Sequence, residues 1–160
     1  MKAPPDRAID VPIESLPPID EHAIRIGAPT QAVWDALLPT VAASFGGRAS
    51  GAIARALGCA ETESKGDLNH PGGTLPGFVV ARVVPPALLA LLGSHRFSRY
   101  ALIFRVDAMV DGTTRVRAET RAEFPGARGR AYRALVIGTR GHVLVVKRLL
   151  NAVKRRASPR

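Results

Sequence analysis

The stretch SHRFSRY, Ser94 to Tyr100, sets an imidazole, two guanidinium groups, two serine hydroxyls and a phenol side by side. A histidine can serve as a general base near neutral pH and a tyrosine as a proton donor, while an arginine neutralises a carboxylate or an enolate. Alternation puts Arg96, Ser98 and Tyr100 on one side of an extended chain and His95 on the other. With that side facing a cavity, Tyr100 aims its hydroxyl inward and Arg96 stands at the mouth. The plainer alternative leaves Arg96 in water at a strand end and makes Tyr100 a core aromatic whose hydroxyl is satisfied nearby. His95, by the same alternation, belongs on the wet side.

A second group is GARGR, Gly126 to Arg130. Arg128 and Arg130, with Arg133 beyond them, fall in the first turns of an expected helix, where the macrodipole disfavours cations. Free backbone N–H groups and arginines together suit an anionic ligand group. The alternative is ion pairing to Glu119 or Glu123 on the preceding strand. GxxG with a basic residue inside also resembles the loop of RNA-binding KH domains, but that loop joins two helices and here a strand precedes it.

Other chemistry is poorly supported. His22, His70, His95 and His142 lie far apart without metal-ligand spacing, so no metal and no cofactor is expected. Cys59 has no adjacent base, and no GxSxG occurs, so it reads as a small buried hydrophobe. A single cysteine excludes an internal disulfide framework.

These groups need elements to position them. An irregular proline-rich arm is expected over 1–20, one domain over 21–157 and a short tail over 158–160. HAIRIGA, His22 to Ala28, reads as a strand. Thr30 is the expected N-cap of a helix over QAVWDALL, with Val33, Trp34 and Leu37 on one face and Pro39 interrupting it. Val41 to Gly58 reads as a second, glycine-broken helical stretch stopped by Gly58. CAETES is a weak strand. GFVVARVV, Gly77 to Val84, and ALLALLG, Ala87 to Gly93, read as strands around Pro85-Pro86.

The clearest alternation follows. Tyr100, Leu102, Phe104, Val106 and Ala108 fall on one face, and beyond the Asp111-Gly112 hairpin signal so do Val116, Ala118, Thr120, Ala122 and Phe124. Charged residues occupy the opposite positions, which implies an antiparallel sheet with one wet and one covered face. The cover is a C-terminal helix whose apolar stripe is Tyr132, Leu135, Val136, Val143, Val146, Leu150 and Val153. Straight from Ala127 to Ala157 it would be roughly 46 Å long, so a bend near Gly138 and Gly141 is expected.

Composition and charge narrow the partners. With 46% hydrophobic and 22% charged residues the chain is globular. The net charge of +10 is localised: residues 127–160 hold ten basic side chains and no acid, while the rest sums to zero. Nucleic acid would want aromatics interleaved with these cations, and residues 133–160 contain none. Cations in the last turns favour the helix dipole, so a solvated face already explains them in part. Contact of that face with an anionic membrane is the alternative partner. The first residues lack the apolar run of a secretory signal and the longest apolar stretches are too short to span a bilayer, so the expected location is cytoplasmic.

IRIGAPTQAVWDAL (Ile24 to Leu37), GFVVARVVPPALLAL (Gly77 to Leu91) and YALIFRVDAMVDGTTRVRAETRAEF (Tyr100 to Phe124) together resemble the START-like, or Bet v 1-like, superfamily of bacterial polyketide cyclase/dehydrase and lipid-transport proteins. The resemblance covers about residues 20–157 and implies an α+β helix-grip fold, a curved antiparallel sheet wrapped around a long C-terminal helix with two short helices after the first strand. It also implies an apolar cavity between sheet and helix. The expected function is binding of a small hydrophobic or amphipathic ligand there. The expected wall is Trp34, Phe78, Tyr100, Phe104, Thr120, Tyr132 and Val136, with Arg96 at its edge. A cyclase or dehydratase using a cavity Tyr, His or Arg is the alternative, and an interaction protein with a basic helix is a third.

Overall fold

In a computed structural model, residues 12–158 are described. A single turn of 3-10 helix at Ile13–Ser15 leads into β1 (Pro18–Ile26), followed by α1 (Thr30–Phe45), α2 (Arg48–Leu57), β2 (Thr74–Leu75), β3 (Phe78–Val84), β4 (Leu88–His95), β5 (Ser98–Ala108), β6 (Thr114–Glu123), α3 (Gly126–Gly138) and α4 (Gly141–Ala157). The strands form one antiparallel sheet in the order β1-β6-β5-β4-β3-β2, so the first strand closes against the last. The order of elements is that of a helix-grip fold: α4 packs across the sheet beside α1 and β1.

The inner core follows the alternation of β5 and β6. Phe104, Val106, Val116 and Ala118 meet Val33, Trp34, Leu37 and Val41 of α1 and Val146, Leu150 and Val153 of α4. Pro39 does not end α1. Losing one helix bond costs about 3 kcal/mol, but each buried Val, Leu or Trp on this face returns about 1.5–3 kcal/mol, so tertiary packing carries the helix through. The Thr40 hydroxyl donates to the Ala36 carbonyl at 2.6 Å in the same turn. Thr30 is not the cap: Pro29 holds that position, its carbonyl accepting from the Val33 N–H at 3.1 Å. Gly58 ends α2 in the left-handed conformation, φ 71°, as its position suggested.

Three further expectations change. CAETES forms no strand; Ala60, Glu61 and Glu63 make single bonds to Ser94, Gly77 and Thr74 without a ladder. The sheet's outer face is not wholly wet, because Ile13 and Leu16 pack on Val79, Ala90, Leu92, Ala101 and Ile103 as a second core. The Arg121 guanidinium fastens that segment by donating to the carbonyls of Glu14 and Leu16, and β1 already begins at Pro18. Residues 1–11 of the expected arm lie outside the described residues. Finally, the C-terminal helix is broken rather than bent: Arg140 takes a left-handed φ of 54° between α3 and α4. Val146, Leu150 and Val153 of the expected stripe are buried, joined by Leu149, whereas Leu135 is 64% exposed.

Candidate functional site

A partly open cavity of about 450 Å3 lies between the sheet and the helices, within the size range of small-molecule sites. The sheet contributes Leu102 from β5 and Thr120 and Ala122 from β6. Ile53 and Leu57 of α2 face them, with Tyr132, Val136 and Ile137 of α3 and His142, Val145 and Val146 of α4. Pro76, Gly77 and Phe78 close the end where β2 turns into β3. Among the described residues, no Asp, Glu, Lys or Arg lines it.

One end of this wall is polar. Gly93 faces Tyr100 across the β4–β5 ladder, and a Cβ on Gly93 would collide with the tyrosine ring and with the Gly77 carbonyl. The glycine therefore lets the phenol cross the neighbouring strand and donate its hydroxyl to the Gly77 carbonyl at 2.7 Å. The Cys59 sulfur stands 3.8 Å from the same oxygen. Burial pushes the Tyr100 phenol well above its ordinary range, with the nearby Cys59 adding to the rise, and burial likewise pushes the Cys59 thiol up. Both are neutral at ordinary pH.

His95 belongs to this end, not to the wet face. Alternation carried back from Tyr100 fails because the chain reverses: Arg96 and Phe97 form the turn, and His95 pairs across it with Ser98, on the same side of the sheet. The Phe97 N–H donates to His95 Nδ1 at 3.1 Å, which places the remaining proton on Nε2, 3.1 Å from the Ser98 hydroxyl. Burial lowers the pKa of His95 below its ordinary value. Tyr132 packs edge-on to His95 with ring centroids 4.8 Å apart and stacks on Phe97 at 5.4 Å. Gly129 allows this approach of α3, since a Cβ there would meet Phe124.

Of the residues singled out in the sequence, Phe78, Tyr100, Thr120, Tyr132 and Val136 line the cavity. Trp34 and Phe104 stand outside it, fully enclosed further along the sheet where α1 and α4 fill the space. The Trp34 indole donates to Asn69 Oδ1 at 3.2 Å. Arg96 is exposed in the turn and lies over Gly58 at the C-terminus of α2, where a cation complements the helix dipole. Arg128, Arg130 and Arg133 are exposed. Glu119 instead pairs with Arg105 and Arg121, and Glu123 with Arg99.

Sequence reasoning missed His142. It opens α4 and its Nε2 meets Asp20 Oδ2 of β1 at 2.7 Å, with the His22 ring 3.4 Å from the same oxygen. Asp20 Oδ1 and His142 Nδ1 are buried without a partner among the described residues. The two partners are separated by 122 positions, and no spacing signal could have joined them.

No family model matches the chain, and no curated protein matches it. Solved structures do. Truncated norcoclaurine synthase from Thalictrum flavum is 12% identical, covering 88% of this chain and 95% of its own, with a TM-score of 0.54. Protein Ms6760 from Mycobacterium smegmatis is 14% identical over 87% and 96% of the two chains, TM-score 0.52. Protein CV1439 from Chromobacterium violaceum is 10% identical over 88% and 98%, TM-score 0.51. At such identities the likeness speaks for architecture alone, and it agrees with the curved sheet, the paired short helices and the C-terminal helix: the chain has the α+β helix-grip, or Bet v 1-like, fold.

Proposed function

We propose that the protein binds a small hydrophobic or amphipathic molecule in the cavity between the sheet and helices α2 to α4. The observation that carries this reading is an apolar wall on which, among the described residues, no carboxylate, ammonium or guanidinium stands and a few polar groups gather at one end. Burying an aliphatic or aromatic ligand there is favourable by roughly 25 cal/mol for each Å2 of apolar surface removed from water. His95 Nε2–H, the Ser98 hydroxyl and Thr120 are available to orient a carbonyl or hydroxyl of that ligand.

N-phenylnaphthylamine, a neutral fluorescent probe, tests it. Its emission should rise on binding, and occupancy should slow alkylation of Cys59, which lines the cavity. Native mass spectrometry of protein purified from its own host should then show a retained molecule displaced by the probe. No fluorescence change and unprotected Cys59 would sink the reading.

A second reading, an enzyme of the cyclase or dehydratase kind, draws support from His142 held by Asp20 in the cavity wall. The Tyr100 hydroxyl gives it little, being engaged by the Gly77 carbonyl. A retained molecule recovered with its mass unchanged after incubation, free of added reactants, favours binding over turnover.

A further inference from the structure

The cations of this protein fall into two populations. On the sheet, Arg99, Arg105, Arg117 and Arg121 each meet a carboxylate. Helices α2, α3 and α4 carry ten basic residues and no Asp or Glu. Among the described residues, none of those ten has a carboxylate within ion-pair distance.

The same helices carry exposed aliphatic side chains. Ile53 is 60% exposed, Leu135 64%, Leu144 52% and Val145 45%. Ile53 and Val145 line the cavity, so they mark its mouth. Leu144 stands on the outer face of α4, opposite the buried Val146, Leu149, Leu150 and Val153. Its helical neighbours at i+3 and i+4 are Lys147 and Arg148, Arg140 stands at the break just before α4, and Leu135 shares a face of α3 with Arg128. Exposed leucines set among unpaired cations match a bilayer surface, where aliphatic groups enter the headgroup boundary and cations meet lipid phosphate. A nucleic acid would use the cations but offer nothing to the leucines, and aromatics for base stacking are absent from residues 133–160. No described helix is long and apolar enough to cross a membrane, so such contact is peripheral.

We infer that the face formed by α3, α4 and the cavity mouth docks on an anionic lipid bilayer, with Leu135, Leu144 and Val145 at the headgroup boundary and Arg128, Arg140, Lys147 and Arg148 on its phosphates. The docked mouth opens toward the lipid, which gives an apolar ligand a route that avoids water; in that respect the inference rests on the ligand-binding reading.

Flotation with vesicles tests it on the whole chain. The protein should bind phosphatidylcholine vesicles containing phosphatidylglycerol and not vesicles of phosphatidylcholine alone. Raising salt from about 0.1 M to about 1 M should release it. The triple variant Arg140→Gln, Lys147→Gln, Arg148→Gln should bind about 100-fold more weakly, since each cation near the surface contributes about five-fold. Leu144→Asp should weaken binding at least ten-fold with those cations intact. Circular dichroism and N-phenylnaphthylamine fluorescence report whether each variant is folded. Equal binding to neutral and anionic vesicles, or a triple variant that binds like the wild type, overturns the proposal. So does loss in the triple variant with none in Leu135→Asp or Leu144→Asp, which marks a partner read by charge alone, such as an acidic protein. Probe binding lost while vesicle binding persists removes the cavity reading and leaves this one standing.

Discussion

Tyr100 packs over Gly93, its partner on the neighbouring strand, and donates its hydroxyl to the Gly77 carbonyl at 2.7 Å. One missing side chain thus decides where the cavity's polar end lies. A methyl at position 93 would drive into the phenol ring of β5 and the Gly77 carbonyl of the β2–β3 turn. Gly93→Ala should therefore destabilise the fold by about 1–3 kcal/mol through overpacking, and lower Tm by about 5 °C for a domain of this size. Tyr100→Phe should cost less, about 1 kcal/mol, because the ring keeps its place and only the Gly77 carbonyl loses a partner. Thermal melts of the two variants check this, and a Gly93→Ala melt equal to wild type would show the close approach to be wrong.

The N-terminal segment makes a different point about the sheet. Leu16 is 1% exposed and, with Ile13, covers the outer faces of β3, β4 and β5. Leu16→Ala should cost about 2–4 kcal/mol, as removing a large side chain from a packed site does. Val110, fully exposed at the β5–β6 hairpin, provides the contrast, and Val110→Ala should leave stability within about 0.5 kcal/mol. Denaturant titrations of both decide it. A Leu16→Ala midpoint matching that of Val110→Ala would return the segment to a loose arm.

Legibility in the sequence followed the range of the physical signal. Alternation is local, so the β5–β6 hairpin and its inner face were readable, and with them Tyr100 and Thr120 in the cavity wall. Helical spacing is equally local and placed Tyr132 and Val136, but a period cannot say how tightly a helix is covered. Leu135 fits the stripe, yet it is 64% exposed and lies outside the cavity wall that Tyr132 and Val136 line. His95 was misplaced by a turn of two residues, which reverses the chain where alternation assumes it continues. Trp34 and Phe104 face inward as expected, yet which part of an inward face is core and which is cavity depends on where α1 and α4 come to rest. Contacts such as Asp20 with His142 exist only once β1 and α4 have met, and nothing local announces them.

His95 supplies the pH dependence. Burial lowers its pKa in the folded protein below the ordinary 6.5, while the unfolded chain keeps that ordinary value. Between the two values the unfolded state binds more protons than the folded one, so stability rises with pH across that window. The contribution is fully present above about pH 6.5 and is lost as pH falls through the lowered folded value, below which the loss is complete. His95→Gln keeps a polar side chain but cannot titrate. The difference in Tm between wild type and His95→Gln, followed from about pH 8 down to about pH 5, should be constant at first and then move against the wild type below about pH 6.5. A difference that stays flat throughout would mean that His95 titrates alike in both states, and that the polar end of the cavity is wetter than its hydrogen bonds to Phe97 and Ser98 imply.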